Sequence, residues 1–314
     1  MTYAIISDIH GNAPSLQLVL ADARAHGADG YLFAGDYCIS APWANEVIGL
    51  IRSIPGARCI RGNDEDHLDA PDGDDGQFEV SRWCARAISP DNRAWLDALP
   101  EEIALDCQGV TIRMAHSSEA FVGKTLHEHF RTSALPARYP EGAVSREALL
   151  DDFRHTLAQD ERFCACLATL QQGIYIFGHN HIQSHGYFDG RWLINPGSCG
   201  LPLDCGDLCA AYTLLTIEDG VISVEERRIP YDVEALIAQV KTTGQYQNAR
   251  IWSEVIFSEW HTCREKVYFF LTCADEYARR TGDERRPFAR DTWEAAYAAW
   301  QDCAGQRWPE LFVR

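Results

Sequence analysis

YAIISDIH, residues 3–10, decides how the rest of the chain is read. Its first half, YAIIS (3–7), is a short apolar run of the kind that forms a strand buried on both faces, and its second half is abruptly polar. A helical pattern follows to about His26, GYLFA (30–34) gives a second strand, a helix runs from about Pro42 to Ser53, and ARCI (57–60) gives a third strand. Short buried strands separated by helices imply βαβ units and a sheet that is parallel at this end.

Further along, DEDHLDAPDGDD (64–75) carries seven acids in twelve positions with Pro and Gly among them, the composition of a solvated loop. Phe78 to Leu99 is helical in pattern, with Ser89-Pro90-Asp91 as a helix start. EEIALDC (101–107) and VTIRMA (110–115), joined by Gln108-Gly109, predict a β-hairpin. A mostly helical insertion from about Glu119 to Gln172 leads to another strand, IYIF (174–177). HGYFD, RWLINP, AYTLLTIE and VISVEERRI then follow with Asp189-Gly190 and Asp219-Gly220 as turns, so this end is expected to be antiparallel or mixed. From about Thr242 the chain is helical and aromatic-rich, an extension expected to pack on the core or on a second copy of the chain.

The 314 residues suffice for one large domain or two modest ones, and 46% apolar with 24% charged residues is a globular composition. The chain shows neither a secretory leader nor a long apolar span, which predicts a cytoplasmic protein that does not enter a membrane. Twelve cysteines without a CxxC pair read as reduced thiols; Cys199, Cys205 and Cys209 share a Gly-rich loop, but structural zinc sites show tighter paired spacing. A formal charge of −18 opposes binding to a nucleic-acid backbone.

With the strands placed, polar residues collect at their carboxyl ends: Asp8 and His10, Asp36, Asn63, His116, then His179 and His181. Ligands of open α/β sheets gather in the crevice outside those ends. The mixture of oxygen and imidazole donors suits Mn²⁺, Fe, Zn²⁺ or Co²⁺ better than Ca²⁺. Seven candidate ligands are too many for one ion, whereas two ions about 3.5–4 Å apart that share a carboxylate would use them all.

The series DxH (8–10), GD (35–36), GN (62–63), His116, GHxH (178–181) and NPGS (195–198), in this order, resembles the calcineurin-like metallophosphoesterase superfamily, above all its small bacterial phosphoesterases. The resemblance covers residues 1 to about 240. It implies an α/β fold of the α+β type, a four-layer αββα sandwich with mixed sheets over residues 1–241. Helical insertions fall at about 65–100 and 119–172, and residues 242–314 form a C-terminal helical extension. It further implies two divalent ions, Mn²⁺ first among Mn²⁺, Fe, Zn²⁺, Co²⁺ and Ni²⁺. One would be held by Asp8, His10 and His181 and the other by Asn63, His116 and His179, with Asp36 bridging. The implied reaction is attack of a bridging hydroxide on a small phosphate mono- or diester, nucleotides included. A protein phosphatase, a nuclease or a non-catalytic partner-binding scaffold are the alternatives.

One position departs from the pattern. Many relatives place a His after the GN asparagine as general acid; here it is Asp64, a poor proton donor at neutral pH when exposed. His67 is a weaker candidate for that role and otherwise a solvated loop residue. Arg61 either steadies a phosphate oxygen or pairs with the neighbouring acids. Asn12 either caps the first helix or faces the phosphate. His127, His129 and His185 fit no ligand slot and are expected at the surface.

Overall fold

The computed structural model describes residues 1–70, 72–135, 145–204 and 208–303. Among the described residues ten strands run in chain order as β1 (Thr2–Ile6), β2 (Gly30–Phe33), β3 (Arg58–Cys59), β4 (Glu102–Cys107), β5 (Val110–Ala115), β6 (Gly173–Ile176), β7 (Ser184–Phe188), β8 (Arg191–Asn195), β9 (Cys209–Glu218) and β10 (Val221–Pro230). They form two five-stranded sheets, ordered β10-β9-β1-β2-β3 and β4-β5-β6-β8-β7. β1, β2 and β3 pair in parallel, as the βαβ rhythm requires, while β9 runs antiparallel to both β1 and β10.

Alternation along the strands assigns the layers. Ala4 and Ile6 of β1 pack with Leu16, Val19, Val47 and Ile51 from the helices Ala13–Ala25 and Ala44–Arg52. Ile5, between them, points the other way and joins Leu32 and Leu215 against Ile112, Ile174 and Ile194 of the second sheet. The far face of that sheet carries Tyr175, Phe177 and Leu193 beneath Phe153, Leu157, Phe163 and Leu167 of the helices Arg146–Gln159 and Glu161–Thr169. Helix, sheet, sheet and helix are therefore stacked in that order, each strand residue alternating between a helical and an inter-sheet neighbour.

One expectation holds and another is corrected. The final four strands lie in mixed sheets, as expected, and divide between the two: β7 and β8 complete the second sheet, and β9 and β10 return to the first. β9 can lie inside a sheet because it is buried almost throughout, while β10 alternates between exposed and half-buried positions, as an edge strand does. The acidic stretch 64–75, however, is not simply solvated, since Asp64, Glu65 and Asp75 are buried. Each buried acid meets donors: Asp75 pairs with Arg82 at 2.7 Å, and Glu65 accepts from the amides of Asp36, Tyr37 and Gly62 at 3.2, 2.8 and 2.8 Å.

The C-terminal helices pack on the core. On the helix Arg250–Thr262, Ile256, Phe257 and Trp260 bury themselves against Ala41, Leu201 and Leu236, and the Trp260 indole donates to the Gly200 carbonyl at 2.9 Å. Gln245 reaches the Ser40 carbonyl at 2.8 Å. The helices Val267–Thr281 and Arg290–Cys303 add a cluster of their own around Phe270, Trp293 and Trp300. Trp260→Ala is expected to lower stability by about 3–5 kcal/mol, because it opens a cavity and removes one of the two donors to the Gly200 carbonyl. Urea unfolding measures this, and a loss below about 1 kcal/mol would mean that the extension is only loosely docked.

Among the described residues no helix is long and apolar enough to cross a membrane. Cys199 and Cys209 are buried and join no metal-binding cluster among the described residues; Cys205 lies outside them.

Candidate metal centre

The carboxyl ends of β1, β2, β5 and β6 and the turn after β3 converge, and the seven residues predicted as ligands meet there. Five of them sit where a strand breaks into left-handed backbone: φ is 53° at Asp8, 51° at His10, 57° at Asp36, 70° at His179 and 56° at His181. For non-glycine residues such conformations cost on the order of 1–3 kcal/mol each and persist where the surroundings enforce them, typically at functional sites. Two motif glycines are required by close approach. A Cβ at Gly62 would lie 2.1 Å from Asp36 Oδ1, and one at Gly178 would lie 2.5 Å from Asp8 Oδ2.

The side chains divide into two groups. In the first, His181 Nε2 lies 3.1 Å from His10 Nε2 and 3.3 Å from Asp8 Oδ1. In the second, Asn63 Oδ1 lies 3.0 Å from His116 Nε2 and 2.7 Å from His179 Nδ1. Asp36 touches the second group through His116 Nε2, 3.1 Å from its Oδ2. It also belongs to the first, since donor atoms of Asp8, His10, Asp36 and His181 all lie within 4.8 Å of one another. Asp8, His10, Asp36 and His181 are all buried.

Hydrogen bonds on the outer side fix which ring nitrogens face inward. His116 Nδ1 lies 2.6 Å from the Ala34 carbonyl and His181 Nδ1 lies 2.6 Å from that of Leu201, so each must donate there. Their Nε2 atoms then turn lone pairs toward carboxylate, amide oxygen and, for His181, a second imidazole. Acceptors converging on acceptors need cations or protons between them, and the donor set fits divalent metal on that ground. In the metal-free chain protons fill the gap. Burial lowers the His116 pKa, but Asp36 and Asp8 outweigh it and push it up to about 10. His181, likewise opposed by burial, is pushed to about 9 by Asp8.

The remaining candidates are placed as follows. Asp64 is buried rather than exposed; burial raises its pKa, yet His10 at 2.9 Å and His67 at 3.6 Å hold the carboxyl below the usual range. It is therefore an ionised carboxylate set beside His10. His67 stands beside it, half-exposed, with its pKa raised by Asp64. Arg61 spends its fork on Asp66 Oδ1 at 3.0 and 2.8 Å, the pairing alternative. Asn12 is fully buried: its oxygen caps the first helix at Ser15 and its NH₂ donates to Gly200, which is the capping alternative.

The three supposed surface histidines are corrected. His127 is half-buried and stacks on His179 with centroids 6.1 Å apart, so it buttresses a site residue. His129 bonds Asp160 at 2.5 Å and His185 bonds Glu226 at 2.7 Å, both partly buried.

Sequence reasoning missed Glu65, whose carboxylate ties Gly62 to the Asp36 turn. Burial first, and Asp36 second, raise its pKa to about 7. NPGS was visible as a motif, but not its work: Asn195 donates to Gly178 and Asn180, and the Ser198 hydroxyl donates to the Asp8 carbonyl at 2.6 Å. Also missed was a cavity of about 430 Å³ lined by His10, His179 and His181 together with Trp252, Ile256 and Glu259 of the C-terminal extension.

A family model described as the calcineurin-like phosphoesterase superfamily domain matches residues 1–220. The chain belongs to that superfamily. Superfamily membership brings with it the use of divalent metals, and the buried Asp/His cluster is where this phosphoesterase-family chain could hold them. An uncharacterized protein of Methanocaldococcus jannaschii is 26% identical over 251 residues, 74% of this chain and 88% of that protein. A metallophosphoesterase from Sphaerobacter thermophilus is similar in structure, with a TM-score of 0.56 and 20% identity over 84% of this chain and 100% of its own. A hypothetical protein from Pyrococcus horikoshii OT3 gives 0.54 and 14%, over 81% and 97% of the two chains. At those identities the structural likeness is one of fold.

Proposed function

We propose that this superfamily member hydrolyses phosphate monoesters or diesters of small molecules at a centre of two divalent ions, with Mn²⁺ as the first choice. The observation that carries this reading is the meeting of two inward-facing acceptor groups at Asp36. Asp8, His10 and His181 would hold one ion, Asn63, His116 and His179 the other, and Asp36 both. When bound, such a pair supplies Lewis acidity to a phosphoryl group and activates water between the ions. The chain's own residues set the conditions. The histidines serve as neutral donors, Asn63 contributes an oxygen without adding charge, and the carbonyls of Ala34 and Leu201 lock two ring orientations.

Small substrates are favoured because the histidines line a cavity of only about 430 Å³ to which the extension also contributes. With Asp64 ionised, leaving groups that need little protonation are the better substrates, as in aryl esters. The test is Mn²⁺-dependent release of p-nitrophenol from p-nitrophenyl phosphate and bis-p-nitrophenyl phosphate, with His116→Ala as control. Turnover that needs added metal and disappears in the variant supports the reading. Protein holding two metals per chain yet inert on both esters would refute it.

A further inference from the structure

The cavity beside the histidines carries apolar surface that the phosphoester reading leaves unused. Phe78, just before the helix Glu79–Ala87, lines it together with Trp252 of the helix Arg250–Thr262 and with Val267 and Leu271 of the helix Val267–Thr281. All four are only half-buried, although three separate segments bring them to one place. Leu201 and Leu203, which follow NPGS, line the same cavity. Apolar surface left facing water costs free energy that an apolar ligand would recover, and the Phe78 and Trp252 rings suit a flat aromatic one.

The charges along the wall narrow the choice. Among the described residues lining the cavity there is neither Lys nor Arg, and the positive charge that His67 can carry is offset by Asp64, 3.6 Å away. Glu259 and Glu265 also line it, but they are hydrogen-bonded to each other and to the amides of Lys266, Val267 and Tyr268, so they call for no cation. A second phosphate or a carboxylate on the leaving group would lose its hydration there without gaining a counter-charge. We infer that this wall is a leaving-group subsite for an uncharged aromatic ring, which makes phosphoesters of phenols without further anionic groups the substrate class. The phosphoryl group would lie at the histidines and the ring against Phe78, Trp252 and Leu271. This inference rests on the phosphoester reading and narrows it, and it agrees with the ionised Asp64, since a phenolate leaves with little protonation.

The test uses the full, Mn²⁺-loaded chain and three unreactive probes, methylphosphonate, benzylphosphonate and 4-carboxybenzylphosphonate, titrated by calorimetry. Benzylphosphonate is expected to bind at least ~10-fold tighter than either of the others, because burying the ring adds affinity only while the ring carries no charge. Leu271→Lys puts a cation on the wall and should raise the affinity for 4-carboxybenzylphosphonate to that for benzylphosphonate or above, a gain that loss of structure cannot produce. Phe78→Lys should act in the same direction and serves if the first variant is unstable. Equal affinities for the three probes in the wild type, or the wild-type order kept in both variants, would overturn the subsite while p-nitrophenyl phosphate hydrolysis still upheld the enzyme. If the wild type, holding two metals, hydrolysed no ester, the phosphoester reading would fall, and the leaving-group subsite with it.

Discussion

Asp36→Asn is expected to lower metal-dependent phosphoester turnover by roughly a thousandfold while leaving the fold in place. Asp36 is 2% exposed, its Oδ1 accepts the Asp64 amide at 2.9 Å, and its Oδ2 faces His116 Nε2. An Asn keeps the first contact through its amide oxygen. Its NH₂ can donate to His116 once that ring is neutral, but the pairing of Asp36 with protonated His116 is lost, so the metal-free variant should stay folded and melt somewhat lower than the wild type at pH 7. What it loses is the negative charge shared by both ligand groups, and with it the attraction that would hold two cations close together. Metal analysis alongside kcat/KM decides the point: the variant should carry fewer than two ions per chain. Wild-type turnover in a folded variant would remove Asp36 from the centre.

The candidate ligands were legible because each sits at the carboxyl end of a run whose burial is written locally. YAIIS, GYLFA and IYIF are apolar, and the polar residue that ends each must face the crevice. The hairpin EEIALDC–VTIRMA was equally local, set by its turn, and β4 and β5 pair with Cys107 opposite Val110. What the sequence hid was partnership at a distance. Nothing in AYTLLTIE says that it returns to β1 rather than continuing beside β8, because hydrophobicity reports burial without naming the neighbour. Glu65 was hidden for a related reason. An acid among seven acids reads as solvated, and only the three amides that converge on it make its burial tolerable. The extension carries no motif, so its place over the cavity could come only from packing, through Trp260 on Gly200 and Gln245 on Ser40.

Metal affinity is expected to rise steeply with pH, because the ions and the protons on His116 and His181 compete for the same lone pairs. In the metal-free chain those pKa values are raised to about 10 and about 9. Both rings are therefore protonated at pH 7, and loading must release about two protons. Affinity should then improve by up to ~100-fold per pH unit below pH 9, or up to ~10⁴-fold between pH 6 and pH 8. Calorimetry with Mn²⁺ in two buffers of different ionisation enthalpy counts the protons, and a pH-independent affinity with no proton release would contradict the scheme. The stability slopes follow with opposite signs. For the metal-free chain, two histidines with raised folded pKa values contribute stability that is fully present below the unfolded value of about 6.5 and is lost as pH rises through 9 to 10. For the loaded chain, acid displaces the ions, so stability falls as pH drops. The gap in melting temperature between loaded and metal-free protein should therefore widen from pH 6 to pH 8. A constant gap would mean that the carboxylates hold the metals without the two histidines, leaving their inward lone pairs without a role.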